Sequence, residues 1–90
     1  MNFRIEIKPA AFKEYSKFPK ETRSKIKTEL LKLEQLENPL SHPKVKPLVG
    51  PLKGDFRLRV GDVRVLFTML RKQKLICVYA ILKRDKAYDI

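Results

Sequence analysis

Between Asn2 and Lys8 apolar and polar residues alternate: Phe3, Ile5 and Ile7 fall on one side, Asn2, Arg4, Glu6 and Lys8 on the other. A period of two is that of a strand with one face buried, and Pro9 ends it. From Ala10 to Phe18 the period changes, with Ala11, Phe12, Tyr15 and Phe18 at three- and four-residue spacing, which predicts a short amphipathic helix before Pro19. Pro19 suits the first turn of a second helix, whose buried stripe is Ile26, Leu30, Leu33 and Leu36 and which Asn38-Pro39 stops. Residues 38–54 then hold Pro39, Pro43, Pro47, Pro51, Gly50 and Gly54, a density that predicts an extended loop without regular structure. FRLRV, Gly61-Asp62 and VRVLFTML follow, the signature of a two-residue hairpin. After a polar turn over Arg71 to Lys74, the continuous apolar run Leu75 to Leu82 reads as a central strand. The order β-α-α-β-β-β predicts an α+β fold, a helical hairpin packed on one face of a largely antiparallel four-stranded sheet. The alternation leaves the partner of the first strand open.

If Gly61 and Asp62 are the loop residues of the hairpin, Val60 faces Val63, Arg59 faces Arg64, Leu58 faces Val65 and Arg57 faces Leu66. Opposed residues share a face, so Arg57, Arg59 and Arg64 project from one side, and Phe56, Leu58, Val60, Val63, Val65 and Phe67 project from the other toward the helices. Two arginines directly opposite each other repel, at a cost of up to about 1 kcal/mol, and call for an anion. A second turn centred on Lys72-Gln73 would pair Leu66 with Tyr79 and Arg64 with Ile81, extending the arginine face over Cys77, Tyr79 and Ile81 as an exposed apolar stretch. Three fixed guanidinium groups can grip a phosphate, and Tyr79 offers a stacking surface, a combination suited to single-stranded RNA. The structural alternative is a set of edge charges that discourages strand pairing.

Composition narrows the class. Ninety residues read as one domain spanning 1–90, and 43% hydrophobic with 34% charged residues is ordinary for a globular chain. The single cysteine, Cys77, lies in an apolar run and excludes an intramolecular disulfide; with no continuous hydrophobic stretch at the start, a cytoplasmic protein is expected. The net charge of +11 is uneven: residues 1–43 carry nine Lys/Arg against six Asp/Glu, residues 44–90 twelve against four. A surplus gathered in one half implies a polyanionic partner. The lone histidine, His42, lies in the proline-rich loop and is read as solvated surface; without partners it makes no metal site, and no cofactor is expected.

The stretch KPLVGPLKGDFRLRVGDVRVLF, residues 46–67, resembles the centre of the RelE/ParE toxin superfamily, and the ending LKRDKAY resembles its closing basic-plus-tyrosine segment. The resemblance, closest to the RelE-like branch, implies a toxin of a type II toxin-antitoxin system that enters the ribosomal A site, cuts messenger RNA there and is silenced by a cognate antitoxin. By position, Arg57, Arg59, Arg64, Arg84 and Tyr88 match the residues that bind and polarise the scissile phosphate and orient the substrate; Lys53, Lys83, Lys86 and Tyr79 are expected to hold RNA. The implied reaction is metal-independent attack of a ribose 2'-hydroxyl on the adjacent phosphate. Arginines stand where the best-known RelE toxin has lysines on the strand, and arginine does not lose its proton under working conditions. Lys83, Asp85, Lys86 and Tyr88 therefore compete for acid and base roles, and the ribosome is a further source. The alternative within the superfamily is a ParE-like inhibitor of DNA gyrase without nuclease activity.

Overall fold

The structure, a computed structural model, describes residues 2–86. The alternating segment forms strand β1, Arg4–Ile7. Pro9 does more than end it: it opens helix α1, Pro9–Ser16, in the first turn, where the missing N–H would have had no partner. Helix α2, Lys20–Gln35, follows Pro19 and buries Ile26, Leu30 and Leu33, with Leu36 packed beside them. The Tyr15 hydroxyl donates to the carbonyl of Arg23 at 3.3 Å and ties the helices together.

The remaining elements are strands β2, Val45–Pro47, β3, Phe56–Val60, β4, Val63–Leu70, and β5, Leu75–Lys83. Among the described residues they join β1 in a five-stranded sheet of order β1-β5-β4-β3-β2. β1 runs parallel to β5 and every other pair is antiparallel. On the edge, the N–H of Ile5 donates to the Glu34 carboxylate of α2 at 3.1 Å, so a helix side chain covers an edge donor that would invite strand pairing. The helix-side core joins Ile26, Leu30 and Leu33 to Leu58, Val65, Phe67, Ile76 and Val78. Among the described residues no helix is long and apolar enough to cross a membrane.

The α+β class and the helix pair on one face hold, with one strand more than expected. β2 lies in the proline-rich stretch that reads as irregular, and it survives there because it is an edge strand. Pro47 ends it and lacks a donor, yet the ladder continues on both sides through Arg59 N–H to the Lys44 carbonyl at 3.0 Å and Leu48 N–H to the Asp55 carbonyl at 2.9 Å.

The β3–β4 hairpin has the register expected from its turn, from Val60 opposite Val63 to Phe56 opposite Phe67. Gly61 has φ of 57° whereas Asp62 does not enter the left-handed region, the arrangement of a II' turn with glycine first. The second hairpin departs from expectation halfway. Phe67 pairs with Val78, but Leu66 pairs with Ala80, Val65 with Ile81 and Arg64 with Leu82, leaving Tyr79 as the extra residue of a bulge. A one-residue shift exchanges faces, so Ile81 belongs to the helix-side core and not to the arginine face.

Candidate functional site

The face of the sheet turned away from the helices carries the charge. Arg59 stands opposite Arg64 across β3 and β4, and Arg57 stands opposite Leu66 two residues along. Arg84 follows the end of β5, and its N–H donates to the carbonyl of Asp62 at 2.6 Å, which clamps the end of that strand onto the hairpin turn. The result is an open depression of about 420 Å³ lined by Lys44, Arg59, Gly61, Asp62, Arg64 and Arg84.

Arg64 is at its centre. Its Nη1 donates to the carbonyls of Gly61 at 2.9 Å and Val63 at 3.2 Å, which fixes the guanidinium at the turn. Burial lowers its pKa, and the charges of Arg57, Arg59 and Arg84 lower it further, against a smaller opposing pull from Asp62. Arginine stays protonated all the same. Among the described residues none of these four arginines forms a salt bridge. Four cations held together with one nearby carboxylate make a place for an anion.

β2 contributes residues that sequence reasoning missed. Lys46 lies opposite Arg57, and Lys44 is one residue beyond the strand, bonded through its carbonyl to Arg59. Lys44-Val45-Lys46 has the same alternation as Arg57-Leu58-Arg59. That signal was available, but prolines 43 and 47 on either side hide it.

Other expected residues stand apart from the depression. Tyr79 is half-buried; its hydroxyl donates to Asp55 Oδ2 at 2.9 Å. Burial, then the bond to Asp55, pushes its pKa up to about 12. Lys53 is exposed beside a separate depression that includes Pro47, Asp55 and Phe56. Lys83 lies opposite Val63 and lines a groove with Glu14, Lys17 and Phe18, on the helix side. Asp85 is exposed. Tyr88 and the side chain of Lys86 lie outside the described residues.

The phenol makes a measurable prediction. With its folded pKa above the ordinary value of about 10, Tyr79 contributes its full stabilisation below pH 10 and loses it as pH rises through about 12. Ultraviolet titration should show a late phenolate step, absent from Tyr79→Phe, and the variant should be about 1 kcal/mol less stable at pH 7. A Tyr79→Phe protein that keeps the late step would refute the assignment.

Two expectations are corrected. His42 is not solvated: it is 6% exposed, its Nε2 donates to Glu29 Oε1 at 3.2 Å, and its Nδ1 accepts from the N–H of Lys44 at 3.0 Å. Glu29 is held below the usual carboxylate range chiefly by its hydrogen bond to Lys32, with His42 adding to it. The histidine is thus a strut between α2 and the segment that carries Lys44. Nor is the stretch beside the arginines an exposed apolar patch: Leu66 and Cys77 are buried, as is Ile81 in the core. Among the described residues no group of three or more His, Cys, Asp or Glu side chains is placed to hold a metal ion.

Residues 5–88 match the model of a family described as ParE toxin of type II toxin-antitoxin system, parDE. Among solved structures, the chain is similar to one in the archaeal RelE-RelB complex from Pyrococcus horikoshii OT3, at 27% identity and a TM-score of 0.78 over 97% of this chain and 100% of that one. A chain of the YoeB-YefM complex from Staphylococcus aureus is 24% identical, with a TM-score of 0.69 over 90% and 95%. The toxin-antitoxin complex RelBE2 from Mycobacterium tuberculosis shares the fold, at 18% identity and a TM-score of 0.79 over 93% and 100%. Among curated proteins no relative matches the sequence.

Proposed function

Because the chain belongs to the ParE toxin family of type II toxin-antitoxin systems, within the RelE/ParE superfamily, we propose that it is the RNA-cutting kind of toxin, an mRNA interferase acting in the ribosomal A site. The observation that carries this reading is the depression in which Lys44, Arg59, Arg64 and Arg84 meet. Pure binding does not require four cations around one depression, whereas negative charge developing on a phosphorane is best met by donors already in place. Attack of the 2'-hydroxyl on the adjacent phosphate would leave a cyclic phosphate and a free 5'-hydroxyl. Lys53, Tyr79, Lys83, Lys86 and Tyr88 are proposed to hold or orient RNA, the first three outside the depression itself.

The partner that silences the toxin is a cognate antitoxin, in keeping with the toxin-antitoxin complexes among its structural neighbours. We place an acidic segment of that antitoxin over the arginine depression.

The isolated protein should cut free RNA poorly, because an open depression does little to align the 2'-hydroxyl with the phosphate. Translating ribosomes should produce cleavage within A-site codons, since docking can contribute several kcal/mol through orientation. A chelator should leave the ribosome-free reaction unchanged. Primer extension on a message with and without ribosomes tests both points; efficient cutting of naked RNA, or its loss on adding EDTA, would point to a different nuclease.

A second reading, inhibition of DNA gyrase, is favoured by the description of the matching family, which names ParE. Arrest of supercoiling with messages left intact would select it.

A further inference from the structure

Arginine can stabilise charge but cannot shuttle protons, so four arginines leave the proposed cleavage without a proton acceptor or donor. The 2'-oxygen must lose a proton as it bonds to phosphorus, and the 5'-oxygen must gain one as its bond to phosphorus breaks. Among the described residues lining the depression, two side chains other than arginine can ionise: Asp62 and Lys44. They are of opposite sign. Near neutral pH a carboxylate ordinarily has room for a proton and an ammonium has one to give.

The backbone of each is held in place at the rim. Asp62 is the second residue of the II' turn, and its carbonyl receives the N–H of Arg84. Its carboxylate is close enough to Arg64 to oppose the influence of the other arginines on that guanidinium. Lys44 is held from two directions, its N–H by the buried ring of His42 and its carbonyl by the N–H of Arg59. The buried His42 ring thus holds the backbone of the exposed Lys44 at the rim of the arginine depression.

We propose that Asp62 and Lys44 are the proton-transfer pair of this site: Asp62 takes the proton of the attacking 2'-hydroxyl, and Lys44 delivers one to the departing 5'-oxygen. The inference rests on the RNA-cutting reading above. As the 2'-oxygen forms its bond to phosphorus, its proton passes to the Asp62 carboxylate. The P–O5' bond breaks with its electron pair on oxygen, which takes a proton from the Lys44 ammonium, and exchange with water restores both groups. His42 is a positioning residue that acts through Lys44.

The test uses the full-length protein, programmed ribosomes and two messages, one normal and one with sulfur in place of the bridging 5'-oxygen of the A-site codon. A sulfur leaving group departs without being protonated, since thiols ordinarily lose their proton near pH 8.5. Lys44→Ala should cut the normal message about 100-fold more slowly than the parent, within the usual range for a lost acid or base, and the sulfur message less than about tenfold more slowly. Asp62→Asn should slow both messages by a similar factor, because it affects attack and not departure. Lys44→Arg, which keeps the charge but does not release its proton under working conditions, should behave like Lys44→Ala.

Cleavage of the sulfur message by the Lys44→Ala protein also reports that it is folded. Equal slowing of both messages by Lys44→Ala, or near-parental activity of Lys44→Arg, overturns the role of Lys44; near-parental activity of Asp62→Asn overturns that of Asp62. If the parent cuts neither message, the RNA-cutting reading itself fails, and the pair with it.

Discussion

Alanine at Arg64 should leave the fold standing and remove most of the toxicity. The side chain's own partial burial disfavours its charge, as do the charges of Arg57, Arg59 and Arg84 near it. Truncation relieves that repulsion while giving up two hydrogen bonds to the carbonyls of Gly61 and Val63 at the turn. The net change in stability should be within about 0.5 kcal/mol, as for other substitutions outside a core. On the proposed RNA-cutting reading, cleavage would lose a donor lining the depression, and removal of one such donor typically costs about 100- to 1000-fold in rate. Growth arrest at matched expression, A-site cleavage and thermal unfolding measured on the same variant separate the two effects. An Arg64→Ala protein that unfolds, or remains as toxic as its parent, would show that the arginine is structural or idle. Arg59→Ala should follow the same pattern, being exposed and directly opposite.

The reverse pattern is expected at His42, where stability should fall first. Its ring is buried, donates to Glu29 and accepts from the N–H of Lys44. His42→Ala opens a cavity and strands a backbone donor, for a combined loss of roughly 2–4 kcal/mol. In a domain of this size each kcal/mol lowers Tm by about 4–8 °C, so a drop of 10 °C or more should be visible by calorimetry. His42→Asn makes the interpretation specific. An asparagine oxygen readily accepts from the backbone two residues on, as Nδ1 does here. It should keep the tie to Lys44, lose the reach to Glu29 and fall between parent and alanine. Equal stability of the alanine variant and the parent would sink the strut.

These two sites mark the limits of what the chain reveals in one dimension. The arginines of β3 and β4 were legible because a glycine-led two-residue turn dictates register, and register dictates faces. His42 was not legible: a loop histidine looks the same in sequence whether it meets solvent or a glutamate thirteen residues earlier. Lys44 was missed for a related reason, since it acquires its place from an edge strand that Pro43 and Pro47 disguise.

Local rules determined much of this protein. Period two in β1, the three- and four-residue spacing of α1 and α2, and the Gly61-Asp62 turn are properties of adjacent residues, so the α+β class and the shared face of Arg57, Arg59 and Arg64 followed from them. Long-range pairing decided the rest. The apolar run of β5 carries no alternation, so nothing in it announces the bulge at Tyr79 that returns Ile81 to the core and sets Leu82 opposite Arg64. The parallel placement of β1 beside β5, the docking of β2 on the opposite edge, and the bond from Arg84 to Asp62 likewise join residues distant in sequence. Only the folded sheet, where backbone donors and apolar faces are matched all at once, brings Lys44, Asp62 and Arg84 to the rim of one depression.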